Sequence, residues 1–114
     1  MITIKITRNS QKLIKQVEMS GHAGYADPGY DIVCSAVSSQ IISVENSITQ
    51  LLKVDVQTEV DEVSGGYLNL VIPQDIPSKQ LEHDTQLLLK HLEFAFQVLA
   101  ENYPEFIKIQ QIKD

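Results

Sequence analysis

The sequence predicts an α+β domain in which two helices pack on a mostly antiparallel sheet, in the order ββαββαβ. Short runs in which apolar and polar residues alternate, separated by turn residues, indicate half-buried strands arranged as hairpins. Two longer stretches instead repeat apolar residues every three or four positions, which is typical of amphipathic helices. With 114 residues the chain can bury one core and is too short for two. We therefore expect residues 1–114 to form a single domain.

The first twenty residues predict a β-hairpin. Ile2, Ile4 and Ile6 alternate with polar neighbours, and residues 8–11 form a polar turn. The second strand extends over residues 13–20. It is less regular than the first but keeps the same alternation.

A loop and then a helix are predicted next. Residues 23–30 contain Gly24 and the pair Pro28-Gly29, which are strong turn formers and predict irregular structure. Asp31 is well suited to cap the following helix, because its carboxylate can accept backbone N–H groups of the first turn. The predicted helix ends near residue 53, and its apolar stripe consists of Val33, Val37, Ile41, Val44, Ile48 and Leu51.

The second half of the chain repeats this outline without a convincing sequence repeat. Strands are predicted at residues 54–60 and 67–72, a second helix from Pro77-Ser78, and a last strand at residues 105–112. The apolar residues of the second helix cover more than one face, which predicts that a second subunit covers part of it. They are Leu81, Leu87, Leu88, Leu92, Phe94, Phe96, Val98 and Leu99.

Charge and composition narrow the function classes. The formal net charge is −6, which disfavours general binding to nucleic acid, because such binding depends on Lys and Arg at the phosphates. The first residues lack the pattern of a signal peptide, and no uncharged apolar run is long enough to span a membrane. The single cysteine suits a reducing compartment. We expect a cytoplasmic protein without cofactor or membrane contact.

Cys34 is the strongest candidate for chemistry. If Asp31 caps the helix, Cys34 lies in its first turn, where unpaired N–H groups and the helix dipole favour a thiolate and could bind an oxyanion. His22, preceded by Gly21, could reach the thiol if the loop folds back, and would then act as general base and acid. Ser38 lies one helical turn after Cys34 on the same face.

Simpler interpretations compete with this one. A lone cysteine is most often a small buried hydrophobe, and His83 and His91 of the second helix are expected to be solvated. A metal site is the other possibility, although the spacing matches no common zinc pattern. Its potential ligands would be His22, Asp27, Asp31 and Cys34.

Two segments carry a resemblance to a known family. Gly-His-Ala at residues 21–23 and Asp-Ile-Val-Cys-Ser-Ala-Val-Ser at residues 31–38 resemble the signature of the ribosomal-processing cysteine protease Prp family. The resemblance extends to chain length and element order. It implies a bacterial cytoplasmic endopeptidase that removes a short N-terminal extension from a large-subunit ribosomal protein, and it implies a homodimer.

The resemblance also assigns roles to residues. His22 and Cys34 match the family's catalytic dyad, with Asp31 and Ser38 as supporting residues. The segment between the two motifs corresponds to a loop that orders around substrate, and its candidate contacts are Gly21, Ala23, Gly24, Tyr25, Asp27, Gly29 and Tyr30. A non-catalytic module that binds a ribosomal protein, and a redox-sensing thiol protein, remain alternatives.

Overall fold

The computed structural model describes residues 1–21, 28–61 and 66–114, with the backbone alone for residues 28–31. The described elements follow the predicted order, and the predicted fold class is confirmed. They are β1 (Ile2–Arg8), β2 (Ile14–Ser20), α1 (Pro28–Gln50), β3 (Gln57–Val60), β4 (Tyr67–Val71), α2 (Lys79–Asn102) and β5 (Ile107–Lys113).

The strands form one sheet in the order β3-β4-β2-β1-β5. Three of its four strand pairs are antiparallel, and β5 runs parallel to β1. The parallel pair arises because α2 returns the chain to the end of the sheet at which β1 starts. There the N–H of Ile2 donates to the carbonyl of Phe106 at 2.8 Å.

Both helices pack on the same face of the sheet. The inward residues of β1, Ile2, Ile4 and Ile6, are at most 1% exposed. They belong to one core cluster with the buried stripe of α1 and with Leu92 and Phe96 of α2. The alternate strand residues are mostly polar and form the opposite, uncovered face, as the two-residue period predicts.

The chain between α1 and β3 differs from its prediction. Leu51 was expected on the buried stripe but is 75% exposed, because α1 ends at Gln50. Lys53 has a φ of 58°, and the N–H of Val54 donates to the carbonyl of Ile48 at 3.2 Å. The segment is therefore bonded to the end of α1, and β3 begins only at residue 57.

α2 begins where the sequence predicts. The hydroxyl of Ser78 accepts the N–H of Leu81 at 3.1 Å and caps the helix. Leu87, Phe94 and Val98 are 58%, 66% and 41% exposed, so part of the broad apolar surface of α2 remains uncovered in the single chain. No helix in the described ranges is long and apolar enough to cross a membrane.

Candidate active site

Gly21 fixes the point from which the chain leaves β2. Its φ of 151° is readily adopted only by glycine, and its N–H donates to the carbonyl of Gly66 at 2.9 Å. Gly66 also has a positive φ, 72°, and lies immediately before β4. The two glycines therefore join the end of β2 to the start of β4. We call this part of the sheet, formed by residues 20–21 and 66–67, the Gly21 end.

α1 begins earlier than the sequence predicted. Its first residue is Pro28, so Gly29 and Tyr30 are helical and the predicted loop over residues 23–30 is wrong for its last three positions. Proline is favoured in the first turn, because its fixed φ suits the helix and its missing N–H is not needed there. The Pro-Gly pair therefore starts the helix, and the turn prediction overlooked this.

The earlier start changes the position of Asp31 and Cys34. Asp31 lies inside α1 and is not its N-cap, which corrects that prediction. Cys34 lies in the second turn, where the backbone N–H groups of a regular helix are already paired. In a helix that begins at Pro28 the unpaired N–H groups belong to the residues before Asp31, so the predicted position of Cys34 among the first-turn N–H groups is wrong.

Cys34 nevertheless lies close to the Gly21 end. Its side chain is 7% exposed and belongs to the core cluster beside Val33 and Val37. One turn further along α1, the hydroxyl of Ser38 donates to the sulfur of Met19 at 3.7 Å, and Met19 is the last inward residue of β2. This contact holds the start of α1 above the strand that leads to Gly21.

The two histidines of α2 lie elsewhere, as predicted. Both are exposed, and Nδ1 of His83 lies 3.3 Å from a carboxylate oxygen of Asp84. Nearby, the side-chain amide of Gln86 is bonded to the backbone of Ile14, at the opposite end of β2. The seven residues of β2 span roughly 20 Å, so the first turns of α2 are distant from Cys34.

Several predicted site residues lie outside the described part of the chain: His22, Ala23, Gly24, Tyr25 and Asp27. Two contributors were not predicted. Met19 was visible only as one apolar position of an alternating strand, and Gly66 only as part of a turn. Within the described residues, no three His, Cys, Asp or Glu side chains are grouped to hold a metal ion.

A tyrosine and a glutamate pair on the uncovered face at the Gly21 end. The hydroxyl of Tyr67 donates to a carboxylate oxygen of Glu18 at 2.9 Å. This hydrogen bond and the negative charge of Glu18 stabilise the protonated phenol and raise the pKa of Tyr67 above its ordinary value. Tyr67 is thus a neutral hydrogen-bond donor at neutral pH.

Known proteins similar to the chain agree on one family. The model of the family "Cysteine protease Prp" matches residues 1–108. The ribosomal processing cysteine protease Prp of Staphylococcus aureus is 31% identical over 110 residues, covering 96% of this chain and 97% of that protein. The Bacillus subtilis protein of the same name is 26% identical over 109 residues and covers 96% of both chains.

Solved structures give the same result. A crystal structure from Streptococcus mutans superposes with a TM-score of 0.85 at 31% identity, covering all of this chain and 96% of that one. The S. aureus protease in complex with a substrate peptide superposes with a TM-score of 0.83 at 27% identity, covering 97% and 99%. The matched family model spans both sequence motifs and nearly the whole fold, and the chain belongs to the cysteine protease Prp family.

Proposed function

We propose that this chain is a cysteine endopeptidase that removes a short N-terminal extension from a large-subunit ribosomal protein, with Cys34 as nucleophile. One observation carries the assignment of the nucleophile. A cysteine protease needs a reactive thiol, and the chain contains a single cysteine. The substrate class is supported by the relatives named ribosomal processing cysteine protease. We assign the activity to one domain formed by residues 1–114.

His22 is the proton carrier in this proposal. It follows Gly21 directly in the sequence, and Gly21 lies at the end of β2 near which Cys34 is held. His83 and His91 are exposed on α2, and His83 is near the opposite end of β2. Among the three histidines, His22 is therefore the one whose chain position suits a dyad with Cys34.

The proposed reaction has two stages. His22 takes the thiol proton of Cys34, and the thiolate attacks the scissile carbonyl carbon to form a tetrahedral intermediate. The intermediate expels the amine of the downstream product, which receives the proton from His22, and leaves a thioester on Cys34. Water, deprotonated by His22, then attacks the thioester, releases the carboxylate of the extension and restores the thiol.

Asp31 and Ser38 support this dyad. Asp31 precedes Cys34 by three residues on α1, a spacing that places the two on one helix face, so a carboxylate there could stabilise protonated His22. Ser38 follows Cys34 by one turn, and its weak hydrogen bond to Met19 positions that part of α1 on β2.

We assign substrate contacts to the segment of residues 21–30. Its last three residues form the first turn of α1.

Cleavage of the extended ribosomal protein tests the proposal. The wild type should shorten it, and Cys34→Ala and Cys34→Ser should leave it intact. His22→Ala should lower kcat by about 10²- to 10⁴-fold, the usual contribution of a general base, with an unchanged circular dichroism spectrum. Cleavage by Cys34→Ala would contradict the proposal. Binding without cleavage by the wild type would favour the non-catalytic module, and redox-dependent binding would favour the thiol sensor.

The quaternary structure and the cellular location are proposed from two separate arguments. We propose a homodimer through the apolar stripe of α2, where Leu87, Phe94 and Val98 recur at helical spacing and are exposed. A processing enzyme for ribosomal proteins would work in the cytoplasm, where ribosomes are assembled. The net charge of −6 suits a basic protein substrate, and we propose no direct contact with nucleic acid.

A further inference from the structure

Among the described residues, β3 forms one edge of the sheet and pairs only with β4. All four of its residues, Gln57–Val60, are exposed. The N–H of Asp61 donates to the carbonyl of Tyr67 at 3.3 Å, which makes this a hydrogen-bonded pair of the antiparallel ladder. Because such pairs alternate, the N–H and C=O groups of Thr58 and Val60 point away from β4. In the described ranges, no backbone group pairs with them.

This edge leads to the Gly21 end of the sheet. Val60 is opposite Leu68, and Leu68 is opposite Met19, whose sulfur accepts the hydroxyl of Ser38. Two strand spacings, about 10 Å, separate β3 from β2, and a peptide added to β3 would lie about 5 Å further out. About four or five extended residues would span the distance within the sheet from such a peptide to β2, the strand on which Ser38 of α1 packs.

The edge also offers apolar surface on the helix-covered face. Val60 lies on that face because its partner Leu68 is buried, yet Val60 itself is 53% exposed. Ile42 of α1 is 47% exposed and lies one turn before Glu45, which accepts the hydroxyl of Thr58 at 3.4 Å. An added strand would point alternate side chains towards this apolar surface, while its main chain pairs with β3.

The negative charge around the β3 edge favours a basic peptide as its binding partner. Four carboxylates lie on β3 or next to it, and one basic residue, Lys53, lies between the first and second of them in the sequence. Ribosomal proteins are basic because they bind RNA, so a segment of such a protein complements this edge. Pairing of β3 with β3 of a second copy would instead bring like charges together. The four acidic residues are Glu45, Asp55, Glu59 and Asp61.

We propose that β3 is a substrate subsite, at which an extended basic segment of the ribosomal protein adds to the sheet as a sixth strand beside the scissile segment. The proposal rests on the proposed function, because it takes the occupant to be the substrate. In this proposal β3 binds the main chain of the substrate at a place outside the catalytic residues. Main-chain pairing gives affinity there, and Val60 and Ile42 select apolar side chains.

Scanning N-methylation of a peptide tests this subsite without changing the protein. A labelled synthetic peptide spanning the cleavage site is titrated with the Cys34→Ala variant, and each backbone amide is methylated in turn. Methylation should weaken binding by about 5- to 10-fold at every second residue of one stretch and have little effect between them, since each methyl removes one hydrogen bond. Equal effects at successive residues, or no binding of the unmethylated peptide, would overturn the proposal.

A pair of substitutions tests the same edge from the protein side. Thr58→Pro removes the outward N–H and should weaken binding by about 5- to 10-fold, whereas Thr58→Ala, which keeps the N–H and loses the bond to Glu45, should change it less than about twofold. Glu59→Lys should weaken binding of the basic peptide. If Thr58→Pro fails to fold, the methylation pattern decides. Loss of a dimer in Thr58→Pro by light scattering would assign the edge to a second copy and overturn the proposal.

The two proposals can fail separately. Cleavage by the wild type together with binding that lacks the two-residue period would overturn the β3 subsite and leave the protease function standing. Periodic binding to Cys34→Ala without cleavage by the wild type would support the subsite and overturn the protease function.

Discussion

Gly21 has a backbone conformation that sets where the chain leaves β2, directly before the proposed catalytic residue His22. A side chain at a φ of 151° would clash with the main chain, and the hydrogen bond to Gly66 depends on this geometry. We predict that Gly21→Ala lowers the free energy of unfolding by about 1–3 kcal/mol, measured by urea denaturation. Ser20→Ala, one residue earlier, is the control and should change it by less than about 0.5 kcal/mol. Equal losses in the two variants would contradict this explanation.

At the same residue scale, the sequence suggested candidate site residues and misplaced the start of the helix that carries them. Cys34 was proposed as nucleophile from its rarity and its neighbours, and this assignment stays a prediction. Asp31 was assigned as N-cap because its residue type fits, but Pro28 fits the first helical position equally well and starts the helix earlier. Local preferences alone could not separate two adjacent start signals. The weak Ser38–Met19 contact depends on tertiary packing and was not predictable.

At the scale of elements, Gln86 attaches α2 to β2. Its side-chain amide accepts the N–H of Ile14 and donates to the carbonyl of Ile14, both at 2.9 Å, and all these groups are buried. We predict that Gln86→Ala lowers the free energy of unfolding by about 2–4 kcal/mol, because two buried backbone groups lose their partners. Gln80→Ala removes an exposed bond to Asp84 and should cost less than about 0.5 kcal/mol. A small loss in Gln86→Ala would show that water replaces the amide.

A second link between elements depends on pH. Burial alone would raise the pKa of Glu93, but hydrogen bonds from Arg8 at 2.7 Å and Gln111 at 2.9 Å outweigh it and lower that pKa below its ordinary value of 4.5. The ionised carboxylate therefore favours the folded state, fully so above pH 4.5, and this contribution is lost as pH falls through the lowered pKa.

The comparison of wild type with Glu93→Gln checks this. The difference between their free energies of unfolding, from urea denaturation at a series of pH values, should be largest near neutrality and shrink below pH 4.5. Parallel curves across the whole pH range would mean that the ionisation of Glu93 does not contribute to folding.

The sequence predicted the long helices and strands with regular patterns better than the short ones. The capped α2 and the alternating β1 were predicted nearly to the residue. β3 was predicted too long, because Val54 and Val56 alternate like a strand although the chain there is bonded to the end of α1. An alternation of apolar and polar residues indicates only that every second residue is buried. An irregular segment that packs on the core can show the same alternation.

At the scale of the whole molecule, element order followed from periodicity, whereas strand order did not. The parallel pairing of β5 with β1 depends on where α2 returns the chain, a long-range feature that no local pattern encodes. The uncovered stripe of α2 was anticipated from its breadth, and the exposure of Leu87, Phe94 and Val98 agrees with it.

Disruption of that stripe tests the proposed homodimer. Phe94→Glu places a charge at the centre of the apolar surface and should convert a dimer to a monomer in light scattering, since a charge cannot be buried there without a partner. Lys108→Glu, at an exposed position on β5, is the matched control and should leave the mass unchanged. A monomeric wild type, or a Phe94→Glu variant that remains dimeric, would contradict the assignment of this surface.

The identity of the nucleophile is the central claim, and trapping the acyl-enzyme tests it most directly. The wild type is mixed with the extended ribosomal protein, quenched in acid within the first turnover and digested for mass spectrometry. We predict that the peptide containing Cys34 gains the mass of the released extension less one water, and that Cys34→Ala shows no such adduct. An adduct on another residue, or rapid cleavage without any adduct on Cys34, would contradict the account.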